Sequence, residues 1–278
     1  MSFVAVALKH ADLRPEVNPL AGTVRHDERS LGLSRADAAA LEWALRLGEA
    51  WGLPVTAITA GPPEAAGVLR DAAAFGVGRL VRVPAATDAP SETVAQALAP
   101  PLGGAVVVCC GDYSTDRGSG SVPAFLAGQL EAAQALGLTG LAPEGAGVLV
   151  GQRRLDGGRR ERLRVSAPAV ISVEPGAARL RRAPLSGVVA ASRAAIETAD
   201  ADAVTDRRVR VRVRVLRTAP YRPRPRTLPP PSGGSPRDRL LALTGALSER
   251  TPPRVVRATP EEAADELIRY LKNQGYLS

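Results

Sequence analysis

The run Ala105-Val106-Val107-Val108-Cys109-Cys110, apolar at every position, constrains the fold more than any other feature of the chain. A strand of that kind is buried on both faces, as in a parallel sheet covered by helices on each side. Its surroundings agree. Phe3–Leu8 reads as an apolar strand, and Ser34 stands as N-cap of a helix with Asp37 in its first turn and Leu41, Ala44 and Leu45 on one face. Gly52-Leu53-Pro54 stops that helix, Val55–Ala60 is a strand, and Gly61-Pro62-Pro63-Glu64 opens a helix through Val68, Leu69, Ala72 and Ala73. Leu80–Val83 reads as a strand and Ser91–Leu98 as a helix. Val122-Pro123 opens a helix expected to run through Leu126, Leu130 and Leu136 to Gly137. Strand and helix alternating at this spacing predict an α/β fold with a doubly wound, mainly parallel sheet. Val148–Arg154 and Arg162–Val165 flank Asp156-Gly157-Gly158, which predicts a β-hairpin, because Asp-Gly tolerates positive φ. Ala169–Val173 is a further strand.

After Ala203 the pattern changes, which divides the chain into an α/β domain over 1–203 and an extended C-terminal arm over 204–278. The arm comprises a basic strand, the proline-rich stretch Pro220–Pro236 and a last helix. That helix has Thr259 as N-cap, Pro260 in its first turn, Glu262 to complete a capping box, and Leu267, Ile268 and Leu271 on one face.

Charge is concentrated in the arm. Residues 207–226 carry nine arginines and no acid, so subtracting them from the net +8 leaves −1 for the rest. Val209, Val211, Val213 and Val215 alternate with arginines, the period of a strand with one apolar face. No aromatic is interleaved among the valines and arginines of 207–217, which favours a solvated face over a nucleic-acid site. Two adjacent cysteines and two histidines are too few for a disulfide framework or a structural metal site. No stretch is apolar for the length of a membrane span, and Met1–Lys9 lacks the order of a signal peptide. The expectation is a cytoplasmic protein without stable membrane insertion and without a nucleic-acid partner.

The loop 111–121 carries the most chemistry. It joins a buried strand to a helix N-terminus, where ligands of open α/β sheets sit and where free backbone N–H groups suit phosphate. Gly118, Ser119, Gly120 and Ser121 let backbone approach such a group. By pattern alone the segment fits a nucleotide loop or an ordinary connection. It is neither a P-loop nor the dinucleotide fingerprint. A Gly120→Asp change is expected to evict a phosphate while leaving stability little changed. No nucleophile–base–acid set emerges, so any chemistry belongs to a cofactor.

Four stretches and one later signature carry a resemblance. They are Val4–Lys9, Ala40–Leu47, Ala60-Gly61-Pro62 with Leu69-Arg70 and Ala73 to Gly76, and Gly111 with Asp116 and the Gly/Ser loop into Pro123. The signature is Arg153, Asp156-Gly157-Gly158, Glu161 and Pro168-Ala169. Together they resemble the electron transfer flavoprotein beta subunit. The resemblance implies an adenine nucleotide alpha hydrolase-like fold and a heterodimer with the alpha subunit, which holds most of the FAD. It implies an AMP buried in the beta subunit, an arm wrapped around the partner, and a dehydrogenase as electron donor. Carried over by position, AMP contacts come from Ala7, Ser34, Arg35, Ala36, Asp37, Ala60, Asp116, Gly118, Ser119, Gly120, Ser121 and Val122. A second FAD in place of AMP is the variant found in bifurcating relatives. A stand-alone adenine-nucleotide-binding regulator of universal-stress type is the alternative. Departures are Ser34-Arg35 for an Asn-Pro pair, a shorter phosphate loop without its glutamine, and a longer hairpin. Against the family's pattern Val173–Ala177 is shortened and offers no apolar anchor for an acyl-CoA dehydrogenase. These point to a divergent branch, for which the mycofactocin-associated one is an expectation.

Overall fold

The computed structural model describes residues 2–25, 27–199, 219, 235–244, 255 and 257–277. The basic strand expected within 207–226 and nearly all of the proline-rich stretch lie outside them. By internal packing the chain divides into Met1–Tyr221 and Arg222–Ser278.

The strands are β1 (Phe3–Ala7), β2 (His10–Asp12), β3 (Glu16–Val17), β4 (Val24–Arg25), β5 (Leu31–Leu33), β6 (Val55–Ala60), β7 (Arg79–Val83), β8 (Ala105–Gly111), β9 (Ala133–Gly145), β10 (Val148–Arg154), β11 (Arg160–Ser166), β12 (Ala169–Val173) and β13 (Glu197–Thr198). The helices of the first unit are α1 (Arg35–Trp51), α2 (Ala66–Ala73), α3 (Ser91–Leu98), α4 (Val122–Gln129) and α5 (Leu185–Ala191). One sheet runs in the order β11-β10-β9-β12-β8-β1-β6-β7-β13. From β9 to β13 neighbouring strands are parallel, and β10 and β11 add an antiparallel hairpin at one edge.

Two cores form because side chains alternate across the sheet. Val4 and Val6 join α1 and α2 on one face, while Ala5, Ile58 and Val108 join α3 and α4 on the other. The uninterrupted apolar run of β8 serves both. Helix α1 buries Leu41, Ala44, Leu45 and Leu47 and ends at Gly52, whose φ of 63° is the left-handed conformation that glycine adopts freely. Between β1 and α1 the chain inserts two small ribbons, β2 with β5 and β3 with β4.

The helix expected from Val122 to Gly137 stops at Gln129, and Ala133–Gly145 is strand β9. Its residues Leu136, Ala135 and Ala133 favour helix in isolation, but β9 pairs with both β12 and β10 and buries Ala135 and Leu138 completely. Tertiary pairing overrides local propensity here. The hairpin turn forms at Asp156–Gly158, with positive φ at Gly157 and Gly158.

In the second unit α6 (Pro236–Thr244) follows the proline-rich stretch, where the sequence predicts only a linker. Helix α7 (Pro260–Asn273) has the expected capping box between Thr259 and Glu262. Among the described residues no helix is long and apolar enough to cross a membrane.

Candidate functional site: a cavity at the carboxyl ends of the central strands

The strand order reverses between β1 and β8. The chain moves from β1 to β6 and β7 on one side, then crosses back to lay β8 on the other. The connections at this point diverge to opposite faces and leave a crevice. It holds a cavity of about 620 Å³ lined from Ala7 of β1, Ala60 of β6, Gly111 of β8 and the loops that follow β1, β6, β7 and β8. That volume lies in the range of small-molecule sites, roughly 300–1,000 Å³.

Of the sequence-derived residues, Ala7, Ser34, Asp37, Ala60, Asp116, Ser119, Gly120 and Val122 meet at this cavity. Arg35 points to solvent, and Ala36 is buried behind the wall. Gly118 turns away from the lining with φ 62°, its N–H donating to the Ser114 carbonyl at 2.8 Å. Ser121 takes the N-cap position of α4 without lining the cavity.

Gly120 is fixed by space. A Cβ there would lie 1.8 Å from the carbonyl oxygen of Asp112. The expectation that Gly120→Asp leaves stability little changed is therefore corrected: any side chain at this position collides with backbone before it reaches a ligand. Gly111 is tight as well, since a Cβ there would lie 2.7 Å from Asp37 Oδ1.

The wall on the α1 side is self-satisfied. The Asp37 N–H donates to Ser34 Oγ at 3.1 Å, and the Ser34 hydroxyl donates to Asp37 Oδ2 at 2.9 Å. The Asp37 carboxylate also lies against Gly111, and the backbone of Lys9 and of Gly111 favours its charged form, at the ends of β1 and β8. Burial pushes its pKa up to about 6, against the opposing pull of these hydrogen bonds. Lys9 Nζ lies 2.5 Å from Asp116 Oδ1 and 2.7 Å from Ser114 Oγ, fastening β1 to the loop after β8. Burial alone would raise the Asp116 pKa; Lys9 and Ser114 outweigh it and hold the carboxyl below its usual value.

The wall on the α3 and α4 side is different. Both helices begin without a side-chain cap, at Pro90 and Ser121. Ser91 and Val122, their first residues, line the cavity. Arg117 reaches across from the β8 loop, donating to the carbonyl of Ala89 at 2.7 Å and less closely to that of Asp88 at 3.4 Å.

Sequence reasoning missed Lys9 and the whole of the loop after β7, Ala86 to Ala89, and gave Arg117, inside the loop 116–122 that it named, no role of its own. The rule that ligands sit at strand carboxyl ends applies equally to Val83, and would have pointed to that loop. Burial pushes the thiol pKa values of Cys109 and Cys110 upward, leaving both protonated. Burial also lowers the pKa of His10, despite nearby Glu64 and Asp71. No metal-holding cluster occurs among the described residues.

Away from the cavity, the large apolar side chains exposed after β12 lie further along the chain than Val173–Ala177. Helix α5 presents Leu185, 78% exposed, with Val188 and Val189 beside it. It sits close on α2, where a Cβ at Gly187 would lie 2.4 Å from the Ala74 carbonyl oxygen. The segment leading to it is held on α1 by Arg181 against Glu42 at 3.0 Å, and by Trp43 Nε1 donating to Ala177 O at 3.2 Å.

Comparison with known proteins agrees with this arrangement. A family model described as the electron transfer flavoprotein domain matches residues 22–204. The chain is 30% identical over 192 residues to protein FixA of Rhizobium meliloti (strain 1021), a match spanning 64% of each chain. A sheet with its cavity at the strand reversal, the Asp-Gly-Gly hairpin and a family match over more than half its length together place the chain: it belongs to the electron transfer flavoprotein family, as a beta-type subunit.

Proposed function

We propose that this chain is the beta subunit of a heterodimeric electron transfer flavoprotein, with AMP in its cavity and an FAD held mainly by an alpha subunit. An FAD so held would supply the redox chemistry between a dehydrogenase as electron donor and an acceptor. The chain contributes binding and position. The observation that carries the reading is the cavity itself, nucleotide-sized, at the strand reversal, with the uncapped α4 N-terminus on its wall. An anion there would meet the free N–H groups of the first turn of α4 and the backbone of Ser119 and Gly120. The ribose and base would lie toward Ala7, Asp37 and Ala60. Exposed Leu185 on α5 suits docking of the dehydrogenase, because a rigidly seated apolar side chain is the usual anchor of such a contact.

The test is to purify the full chain with the subunit that copurifies, denature the complex, and identify the released molecules by mass. The expected result is about one AMP per chain and about one FAD per pair. FAD in both sites with no AMP would replace AMP by a dinucleotide. ATP released from a chain free of flavin and of any partner would overturn the subunit reading.

A further inference from the structure

The geometry points to Arg117 as the residue that carries the charge of a bound phosphate and closes the cavity over it; this rests on the nucleotide reading above. Lys9 and Arg117 are the lysine and arginine of the lining, set against the carboxylates of Asp12, Asp37, Glu64, Asp88 and Asp116. Such a wall repels an anion unless a cation is placed to receive it. Lys9 is already committed, held at 2.5 Å by Asp116. The Arg117 guanidinium instead bonds the backbone carbonyls of Ala89 and Asp88, which carry no net charge, and forms no ion pair among the described residues.

Its position completes the argument. Asp37, Glu64 and Asp12 belong to elements on the α1 and α2 side of the cavity. Arg117 lies on the opposite side, where the uncapped starts of α3 and α4 both reach the lining and the two helices pack against each other. A phosphate there would receive backbone N–H groups from the helix and a forked guanidinium from Arg117, the geometry for which arginine is suited. The same side chain already spans the loops after β7 and β8, so holding the phosphate would also fasten these loops together.

The experiment compares AMP with adenosine, which lacks only the phosphate, by equilibrium dialysis on the full-length protein stripped of nucleotide. Arg117→Gln is expected to weaken AMP about 10–100-fold while changing adenosine less than about twofold. Arg117→Lys keeps the charge without the fork and is expected to fall between the two. Added salt should weaken AMP more steeply in the parent protein than in Arg117→Gln. Equal weakening of AMP and adenosine would reduce Arg117 to a loop tether, and unchanged AMP binding would remove it from the site. Parent protein that binds neither compound would overturn the nucleotide reading, and this inference with it.

Discussion

Helices α1 and α4 both begin at the cavity, near the ends of adjacent strands, and they treat their N-termini in opposite ways. Every helix start leaves backbone N–H groups without intrahelical partners and carries a positive partial charge. In α1 the protein fills that place itself: Ser34 caps the Asp37 N–H, and the Asp37 carboxylate packs against Gly111. In α4 Ser121 adopts φ −88° and ψ −16°, and its hydroxyl caps nothing. One end is closed by an internal anion and the other is left for an anion from outside. The difference explains how a cavity rich in carboxylates can still hold a phosphate, provided that the phosphate lies on the α4 side.

The strongest way to break this comparison is to deform the open end. Gly120→Ala places a methyl 1.8 Å from the Asp112 carbonyl, and is expected to destabilise the fold by about 3 kcal/mol and empty the cavity. A chemical denaturation midpoint equal to that of the parent would show that the loop can relax and that its shape is not required.

Asp37 offers the next test, at the closed end. Its folded pKa of about 6 lies above the model-peptide value of 3.8, so the folded state holds the proton more tightly. The stability tied to that proton is complete below pH 3.8 and is lost as pH rises through about 6. Asp37→Asn, neutral throughout, should lack this loss and gain on the parent by roughly 2–3 kcal/mol between pH 4 and pH 7. Stability curves for the two proteins that run parallel over that window would mean that Asp37 is not a buried, reluctant carboxylate.

The smallest effects separate the two serines. Ser34→Ala should cost about 1 kcal/mol, the usual worth of a helix cap. Ser121→Ala should cost under about 0.3 kcal/mol, since its hydroxyl satisfies no backbone group. Equal losses by thermal unfolding would erase the distinction between the two helix starts.

What could be read from the chain follows the range of the forces involved. Ser34 with Asp37, Thr259 with Glu262, and Asp156-Gly157-Gly158 are local devices, and each forms where its residues predict. The apolar run of β8 reveals a strand buried on both faces because burial needs no partner to be named. Strand β9 was hidden because Ala133–Leu136 favours helix, and only pairing with β12 and β10 decides otherwise. The Lys9–Asp116 bond spans residues 107 positions apart, and Arg117 reaches a carbonyl 28 positions earlier. No periodicity encodes such contacts. For the same reason the exposed apolar face of α5 was missed: Leu185 becomes conspicuous only once Gly187 is seen to seat the helix on α2.

The most direct test of the account is to follow backbone amide resonances of the isotopically labelled full-length chain while AMP is added. The open and closed helix starts predict large shifts for Ser119 through Val122 and for Ala124 and Phe125, and much smaller ones for Arg35 through Ala38. The largest shifts at Arg35 through Ala38, with Ser119 through Val122, Ala124 and Phe125 unmoved, would place the phosphate at the wrong helix and contradict the account.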